Sequence, residues 1–171
     1  MAKLRNINRE DCIHLSQDSH TSPYILTQLS GDTDVQVRRY VASNPNTPPE
    51  TLIGLSTDLD YVVRDRVASN PNTPPETLVE LSGDINPSIR YFVAVNPNTS
   101  PETLTKLSDD TDMGVRRYVA ANPNTPSETL TKLSSDTDPE VRWCVAKNPN
   151  TPHLTLIQLD ALEAAFMVTD S

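Results

Sequence analysis

Leucine pairs and valine pairs alternate along this chain at a fixed interval. Leucines three residues apart stand at Leu26/Leu29, Leu52/Leu55, Leu78/Leu81, Leu104/Leu107, Leu130/Leu133 and Leu156/Leu159, each pair 26 residues after the last. Between them runs a second apolar pattern, with two branched residues four apart followed by alanine, as in Val63, Val67 and Ala68. Separations of three and four place side chains on one helical face. Each interval therefore predicts two short helices: helix A, which carries the leucines, and helix B, which carries the valines. A fixed period in the range of roughly 20–50 residues marks a solenoid. Helices of about nine residues span roughly 13 Å and are marginal alone. Stacking between repeats must supply the stability.

Polar residues punctuate the same interval. Asn-Pro-Asn-Thr begins at Asn44, Asn70, Asn96, Asn122 and Asn148. Its first Asn is expected to end helix B, through tolerance of the left-handed conformation and because the residue before proline avoids the helical region. Its Thr, with Glu three residues on, reads as a capping box for helix A at Thr47/Glu50, Thr73/Glu76, Thr99/Glu102 and Thr125/Glu128. A link such as Asp58-Leu-Asp60 joins helix A to helix B. Its last residue (Asp34, Asp60, Asn86, Asp112 or Asp138) suits the N-cap of helix B. The chain thus divides into an N-terminal capping half-repeat over 1–20, five tandem repeats over 21–151, and a C-terminal capping helix over 152–171 running on through Leu162 and Phe166. The class is all-α, with some helix-B segments open to 3-10 geometry.

Composition changes this picture little. Fifteen prolines would ordinarily raise the question of disorder, but here they are periodic and fill loop and helix-start slots. A net charge of −9 argues against broad nucleic-acid or membrane-surface binding. Cys12 and Cys144 form no disulfide framework and no metal quartet. No apolar run reaches the roughly 20 residues that span a bilayer, and the first residues lack the apolar stretch of a signal peptide. These features lead us to expect a cytoplasmic chain without metal or cofactor. No nucleophile–base arrangement, phosphate loop or catalytic carboxylate pair stands out, so a non-enzymatic role is expected.

The unit Val-Ala-Ser-Asn-Pro-Asn-Thr-Pro-Pro-Glu-Thr-Leu-x-x-Leu-Ser-x-Asp-x-Asp-x-x-Val-Arg closely resembles the bacterial leucine-rich repeat variant family, from about Thr21 to Leu159. The resemblance implies a right-handed superhelix of paired short helices, some of them 3-10, and not the β-strand horseshoe of ordinary leucine-rich repeats. Helix B is also similar to HEAT repeats, whose Asp and Arg residues form ladders between layers and whose second helix lines the concave side. One kind of family member carries an iron–sulfur cluster on cysteines before the repeats. This chain has only Cys12 there, so that role does not carry over. The family brings no general activity with it.

Two sets of residues are candidates for chemistry. Arg38, Arg64, Arg90, Arg116 and Arg142 each follow a link aspartate by six residues: Asp32, Asp58, Asp84, Asp110 and Asp136. An arginine row can hold phosphate or carboxylate ligands. Sameness from repeat to repeat favours a structural ladder instead, each Arg forking onto Asp of its own or the adjacent layer. The slots that vary lie on helix B opposite the valines. There Arg39, Tyr91, Arg117 and Trp143, with Arg66 in the adjacent row, are of the types enriched in binding hot spots. Beside them run Tyr40, Phe92 and Tyr118, which fit inter-repeat core equally well, and Asp65 falls on the same variable face. The expected function is a protein-binding scaffold using this face against an acidic or extended segment. Nucleic-acid binding through its arginines and a self-assembling structural role are the alternatives, and a ligand-handling helper rests on fold analogy alone. The oligomeric expectation is a monomer, or a weak dimer through the C-terminal helix.

Overall fold

The computed structural model describes residues 7–169, with side chains described as far as Ala161. Leu162 and Phe166 therefore lie outside the described side chains. Among the described residues there are twelve helices, all α, and no strand. The B helices are α1 (Arg9–Gln17), α3 (Val35–Ser43), α5 (Tyr61–Ser69), α7 (Pro87–Val95), α9 (Met113–Ala121) and α11 (Pro139–Lys147). They alternate with the A helices α2 (Pro23–Leu29), α4 (Pro49–Leu55), α6 (Pro75–Leu81), α8 (Pro101–Leu107), α10 (Ser127–Leu133) and α12 (His153–Thr169). The B helices are α, not 3-10. The A helices up to α10 are seven residues long, shorter than the expected nine. The chain divides into two compact units, residues 1–98 and residues 99–171.

In the first unit the B helices α1, α3, α5 and α7 pack directly on one another in sequence order, and each A helix packs on its neighbouring B helices. The repeated apolar slots form the core. Val37, Val41 and Ala42 of α3, Val63, Val67 and Ala68 of α5, and Ile89, Val93 and Ala94 of α7 are all fully buried. Leu26, Leu52 and Leu78 lie beneath them, also fully buried. Burial of each such branched side chain is worth about 1.5–3 kcal/mol, which lets seven- and nine-residue helices persist. In the second unit α9 packs on α11, and α8 and α10 flank them. Ala146 of α11 is exposed where its counterpart Ala120 is buried, and Leu156 is half-buried where Leu130 is buried. Both belong to the last layer.

Helix boundaries follow local chemistry, with one correction at each end. The link residue caps helix B in every repeat: Asp60 Oδ1 accepts from Val63 N–H at 3.1 Å, and Asn86 Oδ1 from Ser88 N–H at 2.9 Å. The capping box of helix A does not form as expected. The N-cap is the following residue, Pro48, Pro74, Ser100 or Pro126, in extended conformation. Thr73 turns back instead, and its hydroxyl donates to the Val67 carbonyl at 2.5 Å, closing the end of helix B. Thr47, Thr125 and Thr151 do the same toward Val41, Val119 and Val145. The Asn that ends helix B is extended, with φ −73° and ψ 129° at Asn70, and not left-handed. The clash imposed by the following proline decides that conformation.

Candidate functional site

The invariant polar slots are committed to the stack. Asn70 donates from Nδ2 to the Ala42 carbonyl at 2.8 Å and the Asn44 carbonyl at 3.1 Å, both in the preceding layer. Its Oδ1 accepts from Asn72 N–H at 2.9 Å. Asn72 in turn donates to the Pro45 carbonyl of the preceding loop at 2.6 Å. The same bonds recur at Asn96 and Asn98 in the first unit and at Asn148 and Asn150 in the second. The first Asn of each of these motifs thus commits both amide donors and its carbonyl oxygen to backbone. A threonine row, unmarked in the sequence reading, adds Thr27···Thr51 at 2.8 Å, Thr105···Thr129 at 2.9 Å and Thr131···Thr155 at 3.0 Å.

Three of the invariant arginines reach forward one layer. Arg38 forks onto Asp58 from Nε and Nη2 at 2.6 and 3.1 Å, and its Nη1 donates to the Asp32 carbonyl at 2.9 Å. Arg64 forks likewise onto Asp84, and Arg116 onto Asp136. Arg90 and Arg142 donate to the Asp84 and Asp136 carbonyls of their own links at 2.9 Å. The carboxylate six residues earlier is thus met through its backbone, while the side-chain fork goes to the next link. Burial alone would raise the pKa of Asp58, Asp84 and Asp136. The arginine fork and a backbone N–H outweigh it, so all three are held below the usual carboxylate value. These charges are neutralised in place and offer a ligand little.

The variable slots of the first unit divide. Arg39 is engaged within the stack: it forks onto Asp60 at 2.9 and 2.8 Å and is 27% exposed. Asp65 is buried and accepts from the Ser88 hydroxyl at 2.7 Å, so it does not belong to an open surface. Arg66 is exposed. Tyr91 is half-buried and stands edge-on to Phe92, ring centroids 4.9 Å apart. Tyr40, Phe92 and Tyr118 are all half-buried, between the core and surface readings.

In the second unit the variable slots converge. Helices α9 and α11 lie side by side, carrying Arg117 and Trp143 on their open faces. Arg117 is exposed, its guanidinium 5.7 Å from the centre of the Tyr118 ring. Trp143 is 53% exposed, and the Lys147 ammonium lies 5.8 Å from its ring centre. Cys144, buried beside them, has its thiol pKa pushed up by burial, with Arg117 pulling the other way. A cavity of about 120 Å³ opens here, lined by Ala121, Trp143, Cys144, Lys147, Asn148 and Pro149. Lys147 is the contributor that hot-spot composition alone passed over, although its spacing of four from Trp143 on one helix was available as a signal. Among the described residues, no cluster of His, Cys, Asp and Glu is arranged to hold a metal ion. None of the described helices is long and apolar enough to cross a membrane.

The fold and the interlayer bonds define an α-helical repeat solenoid. Two stretches, residues 35–60 and 114–138, match the leucine rich repeat variant family model. A solved leucine-rich repeat variant "with a novel repetitive protein structural motif" superimposes with a TM-score of 0.69 at 27% identity, over 92% of this chain and 62% of that one. The chain is thus similar to leucine-rich repeat variant proteins in repeat sequence and in fold, and it spans 62% of that relative's length. An engineered protein matches in fold at a TM-score of 0.51 and 20% identity, over 85% of this chain and 91% of its own. A designed armadillo repeat protein gives a TM-score of 0.49 at 16% identity, over 84% of this chain and 94% of its own. No curated protein sequence matches the chain at a significant level.

Proposed function

We propose that this protein is a non-enzymatic protein-binding scaffold and that the helix-B face of residues 99–171 is its principal contact surface. The supporting observation is the exposed cluster of Arg117, Trp143 and Lys147 on two adjacent helices. Arg and Trp at the centre of a patch are the types that dominate protein interfaces. The repeat-invariant polar groups around them are already bonded within the stack, so the patch is left to serve recognition. Arg66 and Tyr91 are secondary contact candidates on the first unit, while Arg39 is withdrawn by its fork onto Asp60.

The test compares capture of partners from the source lysate by wild type, by a double variant Arg117→Ala/Trp143→Ala, and by a control Glu128→Ala on helix α10. Partners recovered by wild type and by the control should lose at least tenfold in affinity for the double variant, about 1.4 kcal/mol. Equal recovery by all three would sink the assignment of this face.

A further inference from the structure

The cavity beside Trp143 is lined by a residue much smaller than those in the same slot of the other repeats. The sixth residue of helix B is Tyr40 in α3, Arg66 in α5, Phe92 in α7 and Tyr118 in α9, but Cys144 in α11. A thiol is much smaller than any of these, and it lines a cavity of about 120 Å³ that opens to the surface. At roughly 30 Å³ per water-sized group, that space holds about four such groups, the number of carbons in a leucine or isoleucine side chain. The Ala121 methyl, the Cys144 thiol, the Pro149 ring and the Trp143 indole make its walls apolar. Asn148 adds no free polar group, since its Nδ2 donates to the Ala120 and Asn122 carbonyls and its Oδ1 accepts from Asn150 N–H.

The rim is cationic. Lys147 lies over the indole, and Arg117 acts on the thiol from the neighbouring helix. Glu140 also acts on the thiol, but Lys147 is the one charged residue among those that line the cavity, on a chain whose net charge is −9. A small apolar hole with a cationic rim selects an aliphatic side chain flanked by acid. A ring overfills the hole, and a basic segment meets repulsion at the rim.

Building on the reading of this face as a protein-binding surface, we propose that the cavity receives one branched aliphatic side chain from an extended acidic segment of a partner protein. Carboxylates flanking that side chain pair with Lys147 and Arg117. Trp143 is the only tryptophan of the chain, so its emission reports the site alone.

The probe is an acetylated, amidated hexapeptide of Asp and Glu around a single Leu, titrated into the full chain at low salt. A saturable change in Trp143 emission is expected. Replacing the peptide's Leu by Gly should weaken binding at least tenfold. Cys144→Tyr, which restores the residue that α3 and α9 carry in this slot, should weaken it as much, with the far-UV circular dichroism unchanged. Lys147→Glu, at an exposed position that does not test packing, should also weaken it at least tenfold. No emission change up to millimolar peptide, equal binding of the Leu and Gly peptides, or wild-type binding by Cys144→Tyr would each overturn the proposal. Partner capture separates it from the broader reading: if Cys144→Tyr retains partners that the Arg117/Trp143 double variant loses, the pocket is rejected and the face stands. If both variants retain them, both are rejected.

Discussion

At the residue scale the structure is governed by one asparagine per layer. Asn70 is 3% exposed and satisfies two carbonyls of the previous layer and one N–H of its own loop. Only an amide of this length supplies two donors and an acceptor in those directions. Asn70→Ala leaves buried carbonyls without a donor and should cost about 1–3 kcal/mol. Asn70→Asp should cost more at neutral pH, because it turns a carboxylate onto two carbonyl oxygens. Urea denaturation of the three proteins checks the order, and a wild-type midpoint for Asn70→Asp would show that the donors do not matter. The sequence disclosed that this Asn ends a helix. It did not disclose that Thr73, a bonding distance away in the chain, caps the same helix backward and leaves the next helix to Pro74.

At the element scale the B helices are joined by arginine forks that also set the response to acid. Asp84 is pushed up by burial but held lower by Arg64 and a backbone N–H, with a net depression of its pKa. A carboxyl depressed in the folded state contributes its full stability above its unfolded pKa, about 3.9. That contribution is lost as pH falls through the folded value. Asp84→Asn should therefore lose roughly 1.5–3 kcal/mol at neutral pH, the worth of a charged hydrogen bond, and the gap to wild type should narrow at acid pH, as the medium falls below the ordinary aspartate range toward the depressed folded value. Chemical denaturation at neutral and acid pH tests this, and a gap that stays constant with pH would remove the fork from the account of stability. The ladder's residues were legible in sequence because they repeat every 26 positions. Its direction was not: Arg38 has Asp32 six residues behind and Asp58 twenty ahead, and only packing of α3 on α5 brings the second carboxylate to the guanidinium.

At a larger scale, bonds between layers tie the repeats together within each unit, so one repeat of the first unit should be removable in register. Deletion of residues 47–72 joins Asn46 to Thr73 and preserves the 26-residue phase. In the shortened chain Arg38 meets Asp84 and Asn96 meets the Ala42 carbonyl, through slots of the same kind. Helical circular dichroism per residue should be retained, with a lower denaturation midpoint, because stability in repeat arrays is approximately a sum over layers and interfaces. A deletion one residue shorter breaks the phase and should cost far more. Equal stability of the two would contradict register as the organising constraint.

The sequence by itself determined the period, the two helices of each layer, the apolar spines and the breaks between them. All of these depend on separations of three and four residues or on the residue before proline, which act within a few positions of the chain. Tertiary structure decided which repeated polar groups are bonded within the stack and which face solvent. Arg39 and Arg117 occupy the same slot of helix B, and each has an aspartate N-cap 21 residues ahead, Asp60 and Asp138. Arg39 takes its aspartate, beside Asp65 and Arg66 of α5. Arg117 lies instead against Tyr118 and the Cys144 thiol, beside a tryptophan that the stack leaves half in solvent. Local pattern treats the two arginines alike, but the size and charge of the side chains on the next helix send one into the ladder and leave the other on an open, aromatic surface.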